Sequence, residues 1–133
     1  MLKFFYVLLP VSLLLCAQQA TAQTPPPVLQ AFSSAFGKGD TAGLNSLLHE
    51  EVELVERGKS GTYQRQVVAG KLADFFRANP PAGFQLRHQG SSADGQLYAI
   101  GQLTTQSGSS VKVLIRARAL PGNQYKIIKL DLL

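Results

Sequence analysis

The sequence predicts an α+β domain: three helices in the N-terminal half, packed on a strongly curved antiparallel sheet of four to five strands. Three observations carry this. Apolar residues recur at helical spacing over residues 28–36 and again over 67–76. After Pro81 the period changes, and four alternating runs follow, FQLRHQ, QLYAIGQLTTQ, SVKVLIRARAL and QYKIIKLDLL. The segments GSSADG, SGSS and LPGN separate those runs with turn-forming residues.

Each element has its own signature. In VLQAFSSAFGKGD, Val28, Leu29, Phe32, Ala35 and Phe36 share one helical face, with prolines suited to the first turn and Gly37 or Gly39 suited to the end. Asp40 follows as a cap for a second short helix, whose apolar edge is Leu44, Leu47 and Leu48. EVELVERG reads as a strand in which Val52 and Leu54 face one way and Val55 breaks the pattern, and RGKSGT reads as a tight turn. The third helix runs from Gln64 to Ala78 on a face of Val67, Val68, Leu72, Phe75 and Phe76. Gly70 inside it costs up to about 1 kcal/mol against Ala, which marks either close packing or a weak point. Asn79-Pro80-Pro81 stops that helix because proline cannot continue its hydrogen-bond ladder. Short connections make the last four strands an antiparallel meander, which the EVELVE strand can join.

Residues 1–22, MLKFFYVLLPVSLLLCAQQATA, have the form of an export signal: Lys3, an apolar run from Phe4 to Leu15, and Ala20-Thr21-Ala22 as a cleavage site. The apolar run is shorter than the roughly 20 residues a membrane span needs, so no anchor is expected after cleavage. Residues 23–27 then form a Pro-rich flexible lead, and residues 28–133 a single domain, periplasmic or secreted. The single cysteine, Cys16, lies inside the signal and follows Leu15 rather than the small residue that lipid attachment favours. Cleavage therefore leaves no thiol for a disulfide, a nucleophile or a metal site. Losing Lys3 lowers the formal charge from +5 to +4, spread without a basic run, as in an ordinary basic protein.

Several chemistries are excluded by spacing. GKS at Gly58 is not a phosphate loop, because Glu53 stands where the first glycine is required. GSSADG at Gly90 leads into a strand rather than a helix, so it is a turn and not a nucleophile elbow. His49 and His88 are far apart, with Glu50, Glu51, Glu53 and Asp74 as possible partners, and HEE at His49, at a helix end beside a strand, makes a solvated acidic edge more readily than a metal site. No cofactor and no metal are expected.

The order of elements, and the stretch AFGKGDTAGLNSLLHEEVEL, resemble the nuclear transport factor 2-like cone, also called the cystatin-like or SnoaL-like fold. GKSGTYQRQ, FFRANPP and FQLRHQGSS resemble a family of small exported bacterial domains of unknown function with that fold, over residues 25–133. The resemblance implies three helices in the mouth of a bent sheet. It implies no activity, because enzymes, binding modules and oligomerisation modules share this fold. Its ketosteroid isomerase-like and dehydratase-like enzymes place Asp, His or Tyr inside the cone, and no such motif matches here residue by residue.

On an ideal strand Phe84, Leu86 and His88 share the apolar face, so His88 is expected to point inward. A buried neutral histidine, hydrogen-bonded to a carbonyl or a Tyr hydroxyl, is the plainer outcome, and a ligand-facing histidine the sharper one. His88, Tyr98 and Phe76 are the candidate ligand-binding residues. No catalytic residue is assigned, since one His and a Tyr without paired carboxylates equip a site poorly for acid–base chemistry. Asp74 is expected to face water. On the SVKVLIRARAL strand, Lys112, Arg116 and Arg118 share a face with Leu114, opposite a core face of Val111, Val113, Ile115 and Ala117. These three basic residues form a candidate interface, joined by Lys126 or Lys129 according to register. Nucleic acid is not an expected partner, since no aromatic is interleaved to stack on bases. Three functions follow: a non-catalytic exported domain binding a small apolar molecule or an envelope protein, an isomerase or dehydratase-like enzyme using His88 and a Tyr, or a dimerising structural module.

Overall fold

A computed structural model describes residues 26–122 and 124–133. The expected signal and residues 23–25 of the lead lie outside the described residues. The elements are α1 (Pro27–Lys38), α2 (Thr41–Leu47), β1 (Leu48–Glu56), β2 (Lys59–Gln64), α3 (Arg65–Ala78), β3 (Pro81–Ser91), β4 (Leu97–Thr105), β5 (Ser110–Leu120) and β6 (Gln124–Leu132).

The helices form where their apolar spacing places them. All five expected residues of α1, Val28, Leu29, Phe32, Ala35 and Phe36, are buried. Gly39 closes the helix at φ 69°, with its N–H donating to the Phe36 carbonyl and that of Asp40 to Ala35. The Asp40 carboxylate then accepts from the Gly43 N–H at 3.0 Å and caps α2. In α3, Val68, Leu72 and Phe76 are buried and Phe75 packs beside them. Val67 stays 46% exposed, outside the stripe it was expected to join.

The sheet has six strands in the order β2-β1-β6-β5-β4-β3. β3 to β6 form the expected antiparallel meander. β1 joins it parallel to β6, and β2 pairs back on β1 as an edge hairpin. RGKSGT is thus not one turn: Arg57-Gly58 makes the reversal, and Lys59 already pairs with Glu56. Gly, Ser and Thr disguise β2, whose apolar contribution is Tyr63 alone. Leu48, expected to end the second helix, instead opens β1, where it is fully buried.

All three helices pack on one face of the sheet. That inner face contributes Leu48, Val52, Leu54, Leu97, Ala99, Leu103, Val113, Ile115, Ala117, Ile127, Leu130 and Leu132 to a single core. Among the described residues the outer face carries no helix. Register shifts lie between Leu86 and His88 in β3 and between Ile127 and Lys129 in β6. Such bulges insert a residue, bend the strand and reverse which side chains face the core beyond them.

Candidate functional site

The space between helices and sheet, where a ligand was expected, is occupied by phenylalanine. Phe36 lies at its centre, with ring centroids 5.0 Å from Phe32, 5.0 Å from Phe76, 5.3 Å from Phe84 and 6.5 Å from Phe75. Phe32 meets Phe84 edge-on at 5.7 Å. Offset and edge-to-face pairs of this kind are the favoured aromatic geometries. Phe76, one candidate ligand contact, is a member of this cluster and only 7% exposed. Phe84 comes from the first residues of β3, and Phe75-Phe76 from the last turn of α3. The turn at Asn79-Pro80 folds these segments onto one another, with Asn79 bonding back to the Phe75 carbonyl through both its N–H and its amide.

His88 is not in the interior. It is exposed, and it pairs with the outward residue Ile100 of β4, while Leu86 pairs with the inward Gly101. Arg87 is the extra residue between those pairs, and its guanidinium donates to Gln102 Oε1 at 2.9 Å across the outer face. The alternation Phe84, Leu86, His88 therefore fails at the bulge, and both the buried and the ligand-facing readings of His88 are corrected. Tyr98 is also outside, 43% exposed, with its ring laid across the backbone of Gly90, its cross-strand partner. The three candidate ligand residues thus do not converge. Asp74 faces water and pairs with Arg77 at 2.9 Å. Among the described residues no three His, Cys, Asp or Glu side chains group as a metal site.

The outer face does gather the basic candidates. Lys112, Leu114, Arg116 and Arg118 alternate outward on β5, while Val113, Ile115 and Ala117 are buried and Val111 half-buried. The register places Lys129 opposite Arg116 and Lys126 opposite Arg118, so both lysines contribute. Like charges directly opposed across strands cost stability. Two of the four are relieved locally: Lys129 Nζ lies 3.9 Å from Glu53 Oε1, and Lys126 Nζ donates to the Ser46 carbonyl at 2.6 Å. Arg116 and Arg118 have no such ion pair among the described residues.

A recess of about 190 Å³ opens on this face between Tyr98, Ile100, Leu114, Arg116, Lys129 and Asp131. It is apolar along β4 and charged along β6. On the other side of Lys129 a shallower depression runs to Glu51 and Glu53 of β1. One surface thus carries an apolar strip, a basic strand and an acidic strand in succession. Sequence alternation identifies the β5 part. The acidic part escapes it, because nothing local to EVELVE says that β1 will lie next to β6.

No curated protein matches the chain. Among solved structures, a protein of the DUF4783 family from Bacteroides fragilis is 32% identical, with a TM-score of 0.72 over 82% of this chain and 97% of that one. An NTF-2 like protein of unknown function from Silicibacter pomeroyi is 11% identical, with a TM-score of 0.56 over 80% and 88%. A candidate ketosteroid isomerase from Shewanella frigidimarina is 15% identical, with a TM-score of 0.62 over 80% and 91%. The last two carry the fold alone, which is the nuclear transport factor 2-like cone with six strands rather than four or five. The family model that matches residues 29–132 is the domain of unknown function DUF4783, and the chain belongs to that family.

Proposed function

We propose that this protein is an exported, non-catalytic interaction module that binds a second copy of itself through the outer face of its sheet. The observation that carries the reading is the contrast between the two faces. The interior is packed with phenylalanine rings around Phe36, whereas the outer face exposes Tyr98 opposite Arg116, which like Arg118 has no ion pair among the described residues. The apolar recess beside Tyr98, at about 190 Å³, is smaller than the roughly 300–1,000 Å³ of ordinary small-molecule sites, and the broader depression of about 410 Å³ beyond Lys129 is lined mainly by charged and polar side chains. That favours a macromolecular partner over a small apolar ligand. The enzyme alternative rested on an inward His88, which the bulge at Arg87 removes.

A second copy fits because the face is self-complementary. β1 and β5 flank β6. A two-fold axis lying along β6 would set β1 of each copy against β5 of the other. Glu51 and Glu53 then meet Arg116 and Arg118 twice, as an isologous interface requires.

Sedimentation analysis of residues 23–133 tests this. The expected result is a dimer that Arg116→Glu with Arg118→Glu converts to monomer. Adding Glu51→Arg and Glu53→Arg should restore the dimer. A wild-type chain that stays monomeric as its concentration rises overturns the reading.

A further inference from the structure

The two-residue turn between β1 and β2 is built from an unexpected amino acid. Arg57 sits at φ 52° and Gly58 at φ 76°, the two positive values of a type I′ hairpin. Glycine, asparagine or aspartate adopts the first position cheaply, whereas arginine is strained there. Residues held in such backbone conformations cluster at functional sites. Yet Arg57 forms no ion pair among the described residues, and its side chain is exposed.

Beneath that turn, on the helix side of the sheet, is a recess of about 290 Å³ lined by Leu54, Glu56, Arg57, Lys59, Tyr63 and Lys71. Its cations come from three separate places: the turn, β2 and α3. Lys71 Nζ is held 4.7 Å from the centre of the Tyr63 ring, a cation–π contact that fixes the ammonium at the rim. The Tyr63 ring lies back along its own strand over Gly61, where a Cβ would stand 2.5 Å from the hydroxyl. The hydroxyl is therefore directed toward the turn, and toward Lys59. Three cations and a phenol face this recess against one carboxylate, Glu56.

We propose that this recess binds a small dianionic oxyanion ligand, a phosphomonoester. Arg57 supplies a planar pair of donors to the phosphate, and Lys59 and Lys71 supply point charges from either side. The Tyr63 hydroxyl donates the remaining hydrogen bond. The excess of two positive charges matches a phosphomonoester dianion. The site lies on the face opposite the proposed dimer surface, so the two proposals stand or fall separately.

The probe is glycerol 3-phosphate, titrated by calorimetry at constant ionic strength against sodium chloride. Saturable binding is expected, with amide shifts concentrated at Arg57, Gly58 and Lys59 in nuclear magnetic resonance spectra. Arg57→Gly suits the turn geometry, so it should fold with an equal or higher melting temperature while weakening binding at least tenfold. Lys71→Met should weaken binding without disturbing the turn. A parallel arm uses phosphatidylcholine vesicles with and without phosphatidic acid. Cosedimentation that requires phosphatidic acid and Arg57, without binding of free glycerol 3-phosphate, supports the site and assigns its phosphate to a lipid headgroup. A response matched by chloride, undiminished in Arg57→Gly, or absent with both probes overturns the proposal.

Discussion

The tip of the Phe84 ring lies over Gly101, so close that a Cβ on Gly101 would run into the ring. Phe84 pairs with Leu103 and Leu86 with Gly101, so the ring crosses diagonally to the neighbouring inward position of β4. The missing side chain is what admits Phe84 to the cluster around Phe36. Gly101→Ala should therefore destabilise the domain by about 1–3 kcal/mol, the usual cost of overpacking a filled core. Urea denaturation reads the loss, and an unchanged midpoint would mean that Phe84 moves aside freely.

Gly70 presents the opposite case. It lies inside α3, exposed, and a Cβ there meets nothing within 4 Å. Close packing is thus not its reason, and the weak-point reading of the sequence remains. Gly70→Ala should stabilise by about 0.5–1 kcal/mol, mainly by restricting the unfolded chain. The same denaturation experiment on this variant should move the midpoint upward. A fall would show that the flexibility of α3 at Gly70 matters to the folded state.

His88 marks where the sequence stops being a sufficient guide. The helices were legible because Val28, Leu29, Phe32, Ala35 and Phe36 declare a face without reference to the rest of the chain. The meander was legible because its turns are short. A bulge is not declared locally: nothing in FQLRHQ says that Arg87 is the extra residue, and its presence exchanges inside for outside at His88. Ile128 does the same in β6, which is why Ile127 and Leu130 are both buried though three residues apart. β2 was illegible for a different reason. Its edge position needs little apolar content, so KSGTYQ reads as turn chemistry. The acidic half of the outer face depended in turn on the parallel pairing of β1 with β6, a long-range event. The direct check is His88→Ala, which should change stability by no more than about 0.5 kcal/mol, as surface substitutions do. A loss of several times that amount would restore a structural role for this histidine.

The turn between β3 and β4 supplies a pH-dependent prediction. The Ser92 hydroxyl donates to Asp94 Oδ1, and the Gln96 N–H reaches the same oxygen at 3.4 Å. Hydrogen bonds to the ionised form, with a smaller contribution from the Arg116 charge, hold the Asp94 carboxyl below its ordinary value of 3.8. A carboxyl depressed on folding contributes stability that is present above its unfolded value. That contribution is lost as pH falls through the lower, folded value. Acidification below the ordinary carboxylate range should therefore loosen this turn before Gly95, at φ 81°, has any other reason to move. Ser92→Ala removes the largest cause, so the Asp94 titration followed by carboxyl carbon resonances should shift upward. The acid-induced change at the turn should then begin at higher pH. Because Asp94 is fully exposed, global stability at neutral pH should hardly respond. An Asp94 titration unmoved by Ser92→Ala would mean that Gln96 and Arg116, not the serine, keep the carboxylate charged.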